Sequence, residues 1–281
     1  MLEVKDIYKS YDNLSVLKGV SVTLMPGEIY GLIGRNGAGK TTLLNILSGL
    51  LKKDSGEVKY SPDNIKTGYL PDNPGLFEYL TAAEYLDFLL RDGDPIRRNE
   101  LLKLVDIPGN IKISKMSRGM KQRIGIAAAL TDDPDIILLD EPTSALDPQG
   151  RMEVMKLLTA LKASGKSVIL STHILADMEK ICDRVGFLSD GIIKKEVTVS
   201  EINGSGLNMI VSFTDPFTEK EIFDRAGLNT EMITDRVLRV GADDPDKLKK
   251  LFSCLLEIQN SVNSLYKESA TLDALFKEVC L

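Results

Sequence analysis

The stretch Gly34-Arg35-Asn36-Gly37-Ala38-Gly39-Lys40-Thr41 fits the pattern G-x-x-x-x-G-K-[ST], which is typical of a phosphate-binding loop. Its glycines allow backbone conformations that are closed to residues with a Cβ, so that successive N–H groups can surround a phosphate. Lys40 is expected to contact the β- and γ-phosphates of a nucleotide, and the Thr41 hydroxyl to ligate Mg²⁺. The residues predicted to contact the nucleotide here are Gly34, Arg35, Asn36, Gly37, Ala38, Gly39, Lys40, Thr41 and Thr42.

The residues on either side of this loop supply the setting that the motif requires. Residues 28–33 are mostly apolar and predict a buried strand, and residues 42–47 predict an apolar helix. Since the loop then lies at the start of a helix, the positive end of that helix would also attract the phosphate. Strand, loop and helix in this order predict an α/β fold with a P-loop NTPase core.

Composition and charge indicate a globular protein of one large and one small domain. The chain has 281 residues, 43% of them hydrophobic and 27% charged, with a net charge of -6. This charge argues against a protein that binds nucleic acid or anionic lipid. Residues 201–281 carry 9 Lys and Arg against 14 Asp and Glu, which makes them a distinct acidic segment. Such a segment is either a solvated surface or an acidic docking surface.

Cysteine usage and hydropathy predict where the protein works. Cys182, Cys254 and Cys280 are scattered and form no C-x-x-C motif, so we expect buried free thiols in a reducing cytoplasm. Residues 1–6 contain no apolar signal core, and no apolar run approaches the ~20 residues that a membrane span needs. If the protein acts at a membrane, another chain must supply the membrane part.

Hydrophobic periodicity outlines two domains. Residues 2–8 and 16–24 alternate apolar and polar side chains and predict antiparallel strands, which would form a β subdomain. The capping box Thr81-Ala82-Ala83-Glu84 opens a predicted helix at 85–90, within a small helical insert at about 75–131. From about residue 200 the pattern changes. We therefore predict a nucleotide-binding domain at 1–200 and a small α+β accessory domain at 201–281.

Further strands and helices follow from the same patterns. The predicted strands are 56–60, 65–70, 136–139, 167–171, a hairpin at 185–193, 207–213, 237–240 and 261–267. The other predicted helices are 96–106, 124–130, 148–164, 220–226, 246–258 and 271–279.

Polar residues follow two of the buried strands. Asp140 and Glu141 follow the apolar residues 136–139, at the carboxyl end of a predicted parallel strand, where open α/β sheets bind ligands. Asp140 suits Mg²⁺, and Glu141 is placed to accept a proton from an attacking water. His173, the only histidine, follows the strand 167–171 and is either a γ-phosphate contact or a surface residue.

Three further positions stay open between a structural and a functional interpretation. Ser117 is a natural N-cap of the helix that follows it, and a capped helix start beside a glycine is also an anion site. Asp147 and Pro148 begin another helix, and local chemistry gives Asp147 no other function. Tyr11 would either stack on an adenine ring or cover a sheet edge.

Residues 1–195 resemble the ATP-binding cassette (ABC) family, whose sequence blocks all occur here in order. The loop Gly34–Thr41 resembles the Walker A motif, and residues 136–140 resemble Walker B. Glu141 falls at the position of the family's catalytic glutamate, and His173 at that of its switch histidine. The resemblance implies that Lys40, Glu141 and His173 take part in ATP hydrolysis.

The remaining blocks bind nucleotide across a dimer interface in this family. Residues 117–120, Ser-Arg-Gly-Met, resemble the signature motif L-S-G-G-Q, and residues 144–147 resemble the D-loop. Tyr11 lies where the family has an aromatic residue that stacks on adenine. The resemblance thus favours nucleotide contacts for Tyr11, Ser117, Gly119 and Asp147.

The sequence departs from the family pattern at two places. Asp72 occupies the position of the Q-loop glutamine and is a further candidate, with Thr41 and Asp140, to meet Mg²⁺ or the attacking water. Arg118 replaces the first signature glycine, and Met120 replaces the usual glutamine. Ser117 and the second glycine of the motif remain, so the anion site should survive.

Within the family the chain resembles the single-cassette ATPases of ABC-2-type exporters, through residues 68–71, 118–123 and 271–276. The resemblance implies an ATPase that uses ATP and Mg²⁺, with no nucleic acid as a partner. Its expected partners are a second copy or a related ATPase subunit and a separate transmembrane permease. The expected location is the inner face of the cell membrane, where the permease would hold this cytoplasmic protein.

The implied mechanism needs two cassettes paired head to tail. ATP bound at Lys40 of one chain would be closed over by Ser117 and Gly119 of the other. One alternative is a soluble ABC ATPase that acts on ribosomes or DNA, but such proteins usually have two cassettes or a long insert, whereas position 117 follows Asp72 by 45 positions. Another alternative is a regulatory module without transport, against which the intact Glu141 counts.

Overall fold

The computed structural model describes residues 1–90, 93–144, 146–204, 208–258, 260–267 and 272–280. The chain folds as two compact units, Met1–Val199 with Leu275–Leu281, and Ser200–Ala274. Three positions that the sequence analysis assigned, Ala145, Leu207 and Thr271, lie outside the described residues. Across the described part, no helix combines the length and the hydropathy needed to cross a membrane.

Between Leu2 and Thr198, the described residues of the first unit form nine strands and six α-helices. In chain order they are β1 (Leu2–Tyr11), β2 (Leu14–Leu24), β3 (Ile29–Ile33), α1 (Lys40–Leu47), β4 (Ser55–Tyr60), β5 (Thr67–Leu70), α2 (Ala82–Leu89), α3 (Pro95–Leu104), α4 (Arg118–Ala129), β6 (Ile136–Leu139), α5 (Pro148–Ala163), β7 (Ser167–Thr172), α6 (Leu175–Ile181), β8 (Arg184–Ser189) and β9 (Ile192–Thr198).

A six-stranded sheet with the order β5-β6-β7-β3-β8-β9 forms the centre of this unit. The first five strands are parallel, and β9 joins as an antiparallel edge strand. Every residue of β3, β6 and β7 is buried, as expected for strands that are covered on both faces. The carboxyl ends of β5, β6, β7 and β3 therefore lie side by side along one edge.

A second, antiparallel sheet has the order β2-β1-β4. The predicted antiparallel pairing of β1 and β2 is correct, and the two strands are longer than predicted. Val4 and Val22 of this sheet belong to one buried cluster with Leu44 of α1 and Leu138 of β6. This shared core fixes β2 beside the phosphate loop.

The helical insert consists of α2, α3 and α4. The capping box that opens α2 is present: the Glu84 N–H donates to Thr81 Oγ1 over 3.3 Å, and the Thr81 N–H donates to Glu84 Oε2 over 2.8 Å. The predicted start of α4 at residue 124 is wrong, because the helix begins at Arg118, directly after its cap. Gly119 and the charged residues after it hid this first turn from the hydrophobic pattern.

The second unit contains a β-α-β-β-α-β arrangement. Its strands are β10 (Asn208–Phe213), β11 (Thr230–Thr234), β12 (Val237–Gly241) and β13 (Val262–Lys267), and the chain's remaining helices are α7 (Val199–Gly204), α8 (Lys220–Arg225), α9 (Pro245–Glu257) and α10 (Leu272–Cys280). The antiparallel strand order β11-β12-β10-β13 is that of ferredoxin-like folds. Val211 and Leu238 of the sheet pack against Phe223 of α8 and Leu251 of α9.

Candidate active site

The predicted site residues follow neighbouring parallel strands. Asp72 comes after β5, Asp140 and Glu141 after β6, His173 after β7, and the phosphate loop after β3. Because carboxyl ends of adjacent parallel strands meet at one edge, this topology gathers residues that are far apart in sequence. Apart from His173, each of these places contributes residues to a cleft of about 500 Å³, here called the phosphate-loop cleft. It is lined by Leu14, Val16, Asn36, Gly37, Gly39, Lys40, Thr41, Thr42, Asp72, Asp140 and Glu141.

The backbone of the phosphate loop requires glycine at specific positions. A Cβ at Gly34 would lie 2.4 Å from the Leu188 carbonyl oxygen, and one at Gly39 would lie 2.7 Å from Leu17 Cδ2. Gly37 and Gly39 also have φ of 82° and 108°, in the region that favours glycine. The loop is therefore seated closely against β2 and the end of β8.

The N-terminus of α1 has the features of an anion-binding site. Gly39 is its N-cap and provides no side-chain acceptor for the N–H groups of the first turn. Lys40 is 7% exposed, and its Nζ donates to the Gly34 carbonyl over 2.8 Å. A phosphate in this loop thus meets backbone N–H groups, the positive end of a helix and a buried ammonium group.

Asp140 carries a buried carboxylate oxygen without a partner. Its Oδ1 accepts a hydrogen bond from Ser171 Oγ over 2.6 Å, whereas Oδ2 has no hydrogen-bond partner among the described residues. Asp140 is 1% exposed, so bulk water does not supply the hydrogen bond that Oδ2 lacks. An unpaired buried carboxylate oxygen is unfavourable by itself, and a bound cation would satisfy it. The donor set here fits Mg²⁺, with the Thr41 hydroxyl at the same cleft.

Three or more metal-ligating side chains do not come together in the part of the chain that the structure describes. Mg²⁺ in phosphate sites is commonly held by one or two protein groups together with phosphate oxygens and water. The cleft with Asp140 and Thr41 matches that mode of binding and would need a nucleotide to complete it.

The position of Glu141 is fixed by a backbone hydrogen bond and by contacts of its carboxylate with Lys40 and His173. Its φ of 50° lies in the left-handed region, and its N–H donates to Ser171 Oγ over 2.9 Å. Its Oε1 lies 3.7 Å from Lys40 Nζ, and its Oε2 lies 2.8 Å from His173 Nδ1. The carboxylate therefore lies between a cation and an imidazole, and Glu141 lines the cleft.

His173 is 58% exposed and hydrogen bonded to Glu141 through Nδ1. A carboxylate only accepts hydrogen bonds, so Nδ1 carries a proton in this contact. The other ring nitrogen, Nε2, then remains for a further contact. Sequence reasoning found His173 and Glu141 separately, and the adjacency of β6 and β7 brings them together.

Ser171, which the sequence analysis did not single out, links the two acids. One hydroxyl accepts from the Glu141 N–H and donates to Asp140 Oδ1. Its signal was a serine directly after the apolar run 168–170, on the strand that pairs with β6. Leu14 and Val16 were also missed, since nothing in the sequence shows that β2 borders the phosphate loop.

Asp72 is exposed and lines the same cleft as Lys40 and Asp140. Ser144 Oγ donates to Asp72 Oδ1 over 3.2 Å, and Ser144 begins the segment that leads to α5. The carboxylate at the Q-loop position thus contacts the D-loop through a hydrogen bond.

Ser117, Gly119 and Asp147 lie in a different cleft of about 530 Å³, here called the signature cleft. Its lining is Ser117, Arg118, Gly119, Met120, Arg123, Leu146, Asp147, Gln149, Gly150 and Glu153, none of which lines the phosphate-loop cleft. The cap of α4, Ser117 Oγ, accepts from the Met120 N–H over 3.2 Å, and the cap of α5, Asp147 Oδ1, accepts from the Gly150 N–H over 2.8 Å. Two helix starts therefore face one cleft.

Among the described residues, none packs so closely on position 119 that it requires glycine there. The nearest atoms to a Cβ at this position would be Gly150 Cα at 3.7 Å and Ser117 Oγ at 4.0 Å, which are ordinary contacts. Glycine within a helix is less favourable than alanine by about 1 kcal/mol. A close approach by something outside the chain would account for a glycine here.

Four other predicted nucleotide contacts do not line the phosphate-loop cleft: Tyr11, Gly34, Arg35 and Ala38. Arg35 and Ala38 line an adjoining cleft of about 330 Å³. Tyr11, at the end of β1, is 46% exposed, and Lys9 Nζ lies 5.7 Å from the centre of its ring. Its ring is therefore accessible, and its contact with adenine stays a prediction.

Comparison with known proteins identifies relatives of this chain. A family model described as "ABC transporter" matches residues 17–144. An uncharacterized ABC transporter ATP-binding protein of Nostoc sp. is 40% identical over an alignment of 206 positions, which covers 67% of this chain; the chain spans 62% of that relative's length. The lantibiotic transport ATP-binding protein SrtF of Streptococcus pyogenes is 35% identical over 72% of this chain and 93% of its own.

A solved structure gives the same fold. A dimeric ATP-binding cassette in a post-hydrolysis state, bound to ADP and Pi, is similar with a TM-score of 0.64 and 30% sequence identity. The match covers 71% of this chain and 99% of that one.

Proposed function

The chain belongs to the family of ABC transporter ATP-binding proteins, and we propose that it is the ATP-hydrolysing subunit of an exporter. In this proposal two copies, or one copy and a related subunit, close head to tail on ATP and drive a separate membrane protein from the cytoplasmic face. The second unit, Ser200–Ala274, is an accessory domain. The observation that carries the proposal is the Glu141 carboxylate, held between Lys40 and His173 beside a buried, unpaired oxygen of Asp140.

The phosphate loop binds the triphosphate. The N–H groups at the start of α1 surround it, and Lys40 Nζ, now on the Gly34 carbonyl, reaches the β- and γ-oxygens. Thr41 and Asp140 would hold Mg²⁺ together with phosphate oxygens. The bound ion would neutralise the charge that develops on the transferred phosphoryl group. This accounts for the unpaired Oδ2 of Asp140.

Glu141 acts on the attacking water. Its carboxylate orients the water and takes the water's proton as the oxygen attacks the γ-phosphorus. Ser171 and His173 hold Glu141 in this position through its N–H and Oε2. His173 presents Nε2 to the γ-phosphate, so that one imidazole orients the base and steadies the phosphate.

A second copy completes each site. The phosphate-loop cleft and the signature cleft share no lining residue, which supports a contact of Ser117 and Gly119 with a nucleotide bound by another chain. The absence of a packing reason for Gly119 supports an approach from outside the chain. The similarity to a cassette solved as a dimer supports the same arrangement.

Transport, as opposed to work on ribosomes or DNA, is supported by the relatives. One of them is named as a lantibiotic transport protein, and the chain covers 93% of its length. The net charge of -6 remains unfavourable for nucleic-acid binding. None of the comparisons reported above favours the ribosome or DNA alternative.

An exposed aromatic cluster on the insert is the proposed contact with the membrane partner. Phe77, Tyr79 and Phe88 are 36%, 73% and 66% exposed, and the ring of Phe77 lies 5.9 Å from that of Tyr79 and 5.3 Å from that of Phe88. Clustered exposed rings mark interaction sites in soluble proteins. The cluster follows Asp72 closely in sequence, which connects it to the phosphate-loop cleft.

The experiment that tests the proposed function is co-purification. Tagged Glu141→Gln protein is expressed in its own host, trapped with ATP and isolated from mildly solubilised membranes. A stoichiometric protein with several membrane spans is the expected partner. Ribosomes, DNA-bound proteins or no membrane protein would contradict the transporter proposal.

The aromatic cluster gives a prediction for the same experiment. Replacing Phe77 and Phe88 together by Ala should reduce the co-purified membrane protein about tenfold or more, because such rings often carry interface affinity. The matched control is Phe252→Ala, since Phe252 is 48% exposed on α9 in the second unit. Thermal unfolding checks that the double variant is folded. Equal recovery in both variants would place the partner elsewhere.

Asp72 gives a prediction about Mg²⁺. If its carboxylate helps to hold the ion, Asp72→Asn should raise the Mg²⁺ concentration for half-maximal binding of a fluorescent ATP analogue by about three- to tenfold. Ser144→Ala is the control, because it removes the hydrogen bond to Asp72 and keeps the charge. An unchanged Mg²⁺ titration in Asp72→Asn would exclude Asp72 as a metal ligand.

A further inference from the structure

The C-terminal end of α1 borders a cleft of about 550 Å³ in the first unit, here called the α1-end cleft. The Leu51 N–H donates to the Asn45 carbonyl over 3.0 Å, so the turn that follows α1 folds back along the helix and contributes residues 48–53 to the lining. Residues of β4 and β5, and of the segment between them, supply the rest. The α1-end cleft shares no lining residue with the phosphate-loop cleft or the signature cleft.

Most of this lining is apolar and continues the hydrophobic core. The apolar side chains of the α1-end cleft are those of Ile46, Leu47, Leu51, Val58, Tyr60 and Ile65. The last four are only partly buried, and they pack against the large buried cluster that joins α1 to both sheets of the first unit. The core therefore reaches solvent at this cleft, where the apolar part of a ligand would extend it. A cleft of this volume and lining is typical of small-molecule sites.

Two hydroxyl groups of the cleft are already engaged with the backbone of α1. Tyr60 Oη donates to the Leu47 carbonyl over 2.7 Å, and Ser48 Oγ donates to the Asn45 carbonyl over 3.0 Å. The Ser48 N–H donates to the Leu44 carbonyl over 2.8 Å. Because the last carbonyls of α1 thus have partners, the helix end does not need a lysine side chain to cap it.

Lys52 and Lys53 bring two ammonium groups to the α1-end cleft. Both residues are exposed, and no described residue forms a hydrogen bond or an ion pair with either side chain. The next acid along the chain, Asp54, is engaged by Lys9 Nζ and by the Ser10 N–H, each at 2.7 Å. The described lining contains no Asp or Glu, whereas three acids line the phosphate-loop cleft. The α1-end cleft is therefore cationic in a protein whose net charge is -6.

We propose that the α1-end cleft binds a small amphipathic carboxylate, with its apolar chain against the exposed part of the core and its carboxylate on Lys52 and Lys53. An apolar lining alone would favour a neutral ligand, and the two ammonium groups add the charge complementarity that favours an anion. A lysine stem packs along apolar surface while its ammonium group stays in water, so the carboxylate binds at the rim and keeps part of its hydration. This site is separate from the nucleotide site and does not depend on the exporter proposal.

The first test compares octanoate with 1-octanol by ligand-observed NMR on the full chain, since the two probes share a chain length and differ in charge. Replacing Lys52 and Lys53 together by Gln should weaken octanoate binding about five- to tenfold and change octanol binding by less than about twofold. The matched control replaces Lys103 and Lys156 by Gln, which removes two exposed charges outside the cleft. It should bind both probes as the unsubstituted protein does.

The second test fills the α1-end cleft and keeps both lysines. Leu51 is half-buried and lines the cleft, so a tryptophan at this position would occupy space that the chain of the ligand needs. Leu51→Trp should weaken octanoate and octanol alike, by about tenfold or more, because both lose the same apolar contact. Thermal unfolding and binding of a fluorescent ATP analogue check the fold of every variant, and both should match the unsubstituted protein.

Three results would overturn the proposal. One is octanoate binding that is as tight without Lys52 and Lys53 as in the control, and another is unchanged binding of both probes to Leu51→Trp. The third is an unsubstituted protein that does not bind octanoate. If, in that case, the variant without Lys52 and Lys53 also recovers less membrane protein in the co-purification, the α1-end cleft is a contact for a protein and not a site for a small carboxylate.

Discussion

Replacing Glu141 by Gln is expected to lower ATP turnover by about 100-fold or more, while ATP still binds and the closed dimer accumulates. Gln has the shape of Glu but does not accept the proton of the attacking water. Its N–H can still donate to Ser171, and Lys40 and the phosphate loop are unchanged. Binding is measured with a fluorescent ATP analogue, turnover by phosphate release and dimerisation by sedimentation.

The control for this variant is Glu100→Gln, which removes an equal charge from a side chain that is 60% exposed on α3. It should hydrolyse ATP as the unsubstituted protein does. Near-normal turnover in Glu141→Gln would remove this residue from the base role. A loss of ATP binding in that variant would instead show that the carboxylate supports Lys40, from which it is 3.7 Å away.

The residues of the phosphate-loop cleft were predictable because their signals are local. The glycines of the loop, the apolar run before Asp140 and the run before His173 each mark one strand end. Steric requirements confirm the glycine at Gly34, where a Cβ would lie 2.4 Å from a carbonyl oxygen. A side chain at the carboxyl end of a parallel strand points to the ligand edge whatever the strand order is.

The contacts between these residues were not predictable, because they depend on strand order. Glu141 meets His173 only because β7 lies next to β6, and the same adjacency places Ser171 between the two acids. Nothing near Leu14 in the sequence shows that β2 borders the cleft. Such pairings are decided by burial across the whole sheet and not by any window of sequence.

The elements that the sequence analysis missed have weak local patterns for identifiable reasons. Most of β11 is exposed, so it lacks the alternation that marks a half-buried strand. Without β11 the order of the second sheet, and therefore its ferredoxin-like topology, was not visible. α6 has no side-chain cap at Ile174 and spans only seven residues, Leu175–Ile181.

Asp140→Asn is expected to raise the melting temperature of the ligand-free protein while it removes stabilisation by Mg²⁺ and ATP. The unpaired Oδ2 of Asp140 is a buried charged acceptor, whose loss of hydration costs about 1–3 kcal/mol or more. Asn is neutral and keeps an oxygen for Ser171 Oγ. The gain should appear as a rise of about 2–6 °C in thermal unfolding.

The opposite effect on the ligand-bound state follows from the same atom. Without the Asp140 carboxylate, Mg²⁺ loses a fully charged, buried protein ligand. The further rise in melting temperature on adding Mg²⁺ and ATP should therefore largely disappear, and turnover should fall about 100-fold or more. Ser171→Ala is the matched control, since it removes the hydrogen bonds to Asp140 and Glu141 without removing charge, and it should lower the ligand-free melting temperature. If ligand-free Asp140→Asn protein melts below the unsubstituted protein, the Asp140 charge is already stabilised by the surrounding protein. If Mg²⁺ and ATP still raise the melting temperature of Asp140→Asn as before, the metal binds away from Asp140.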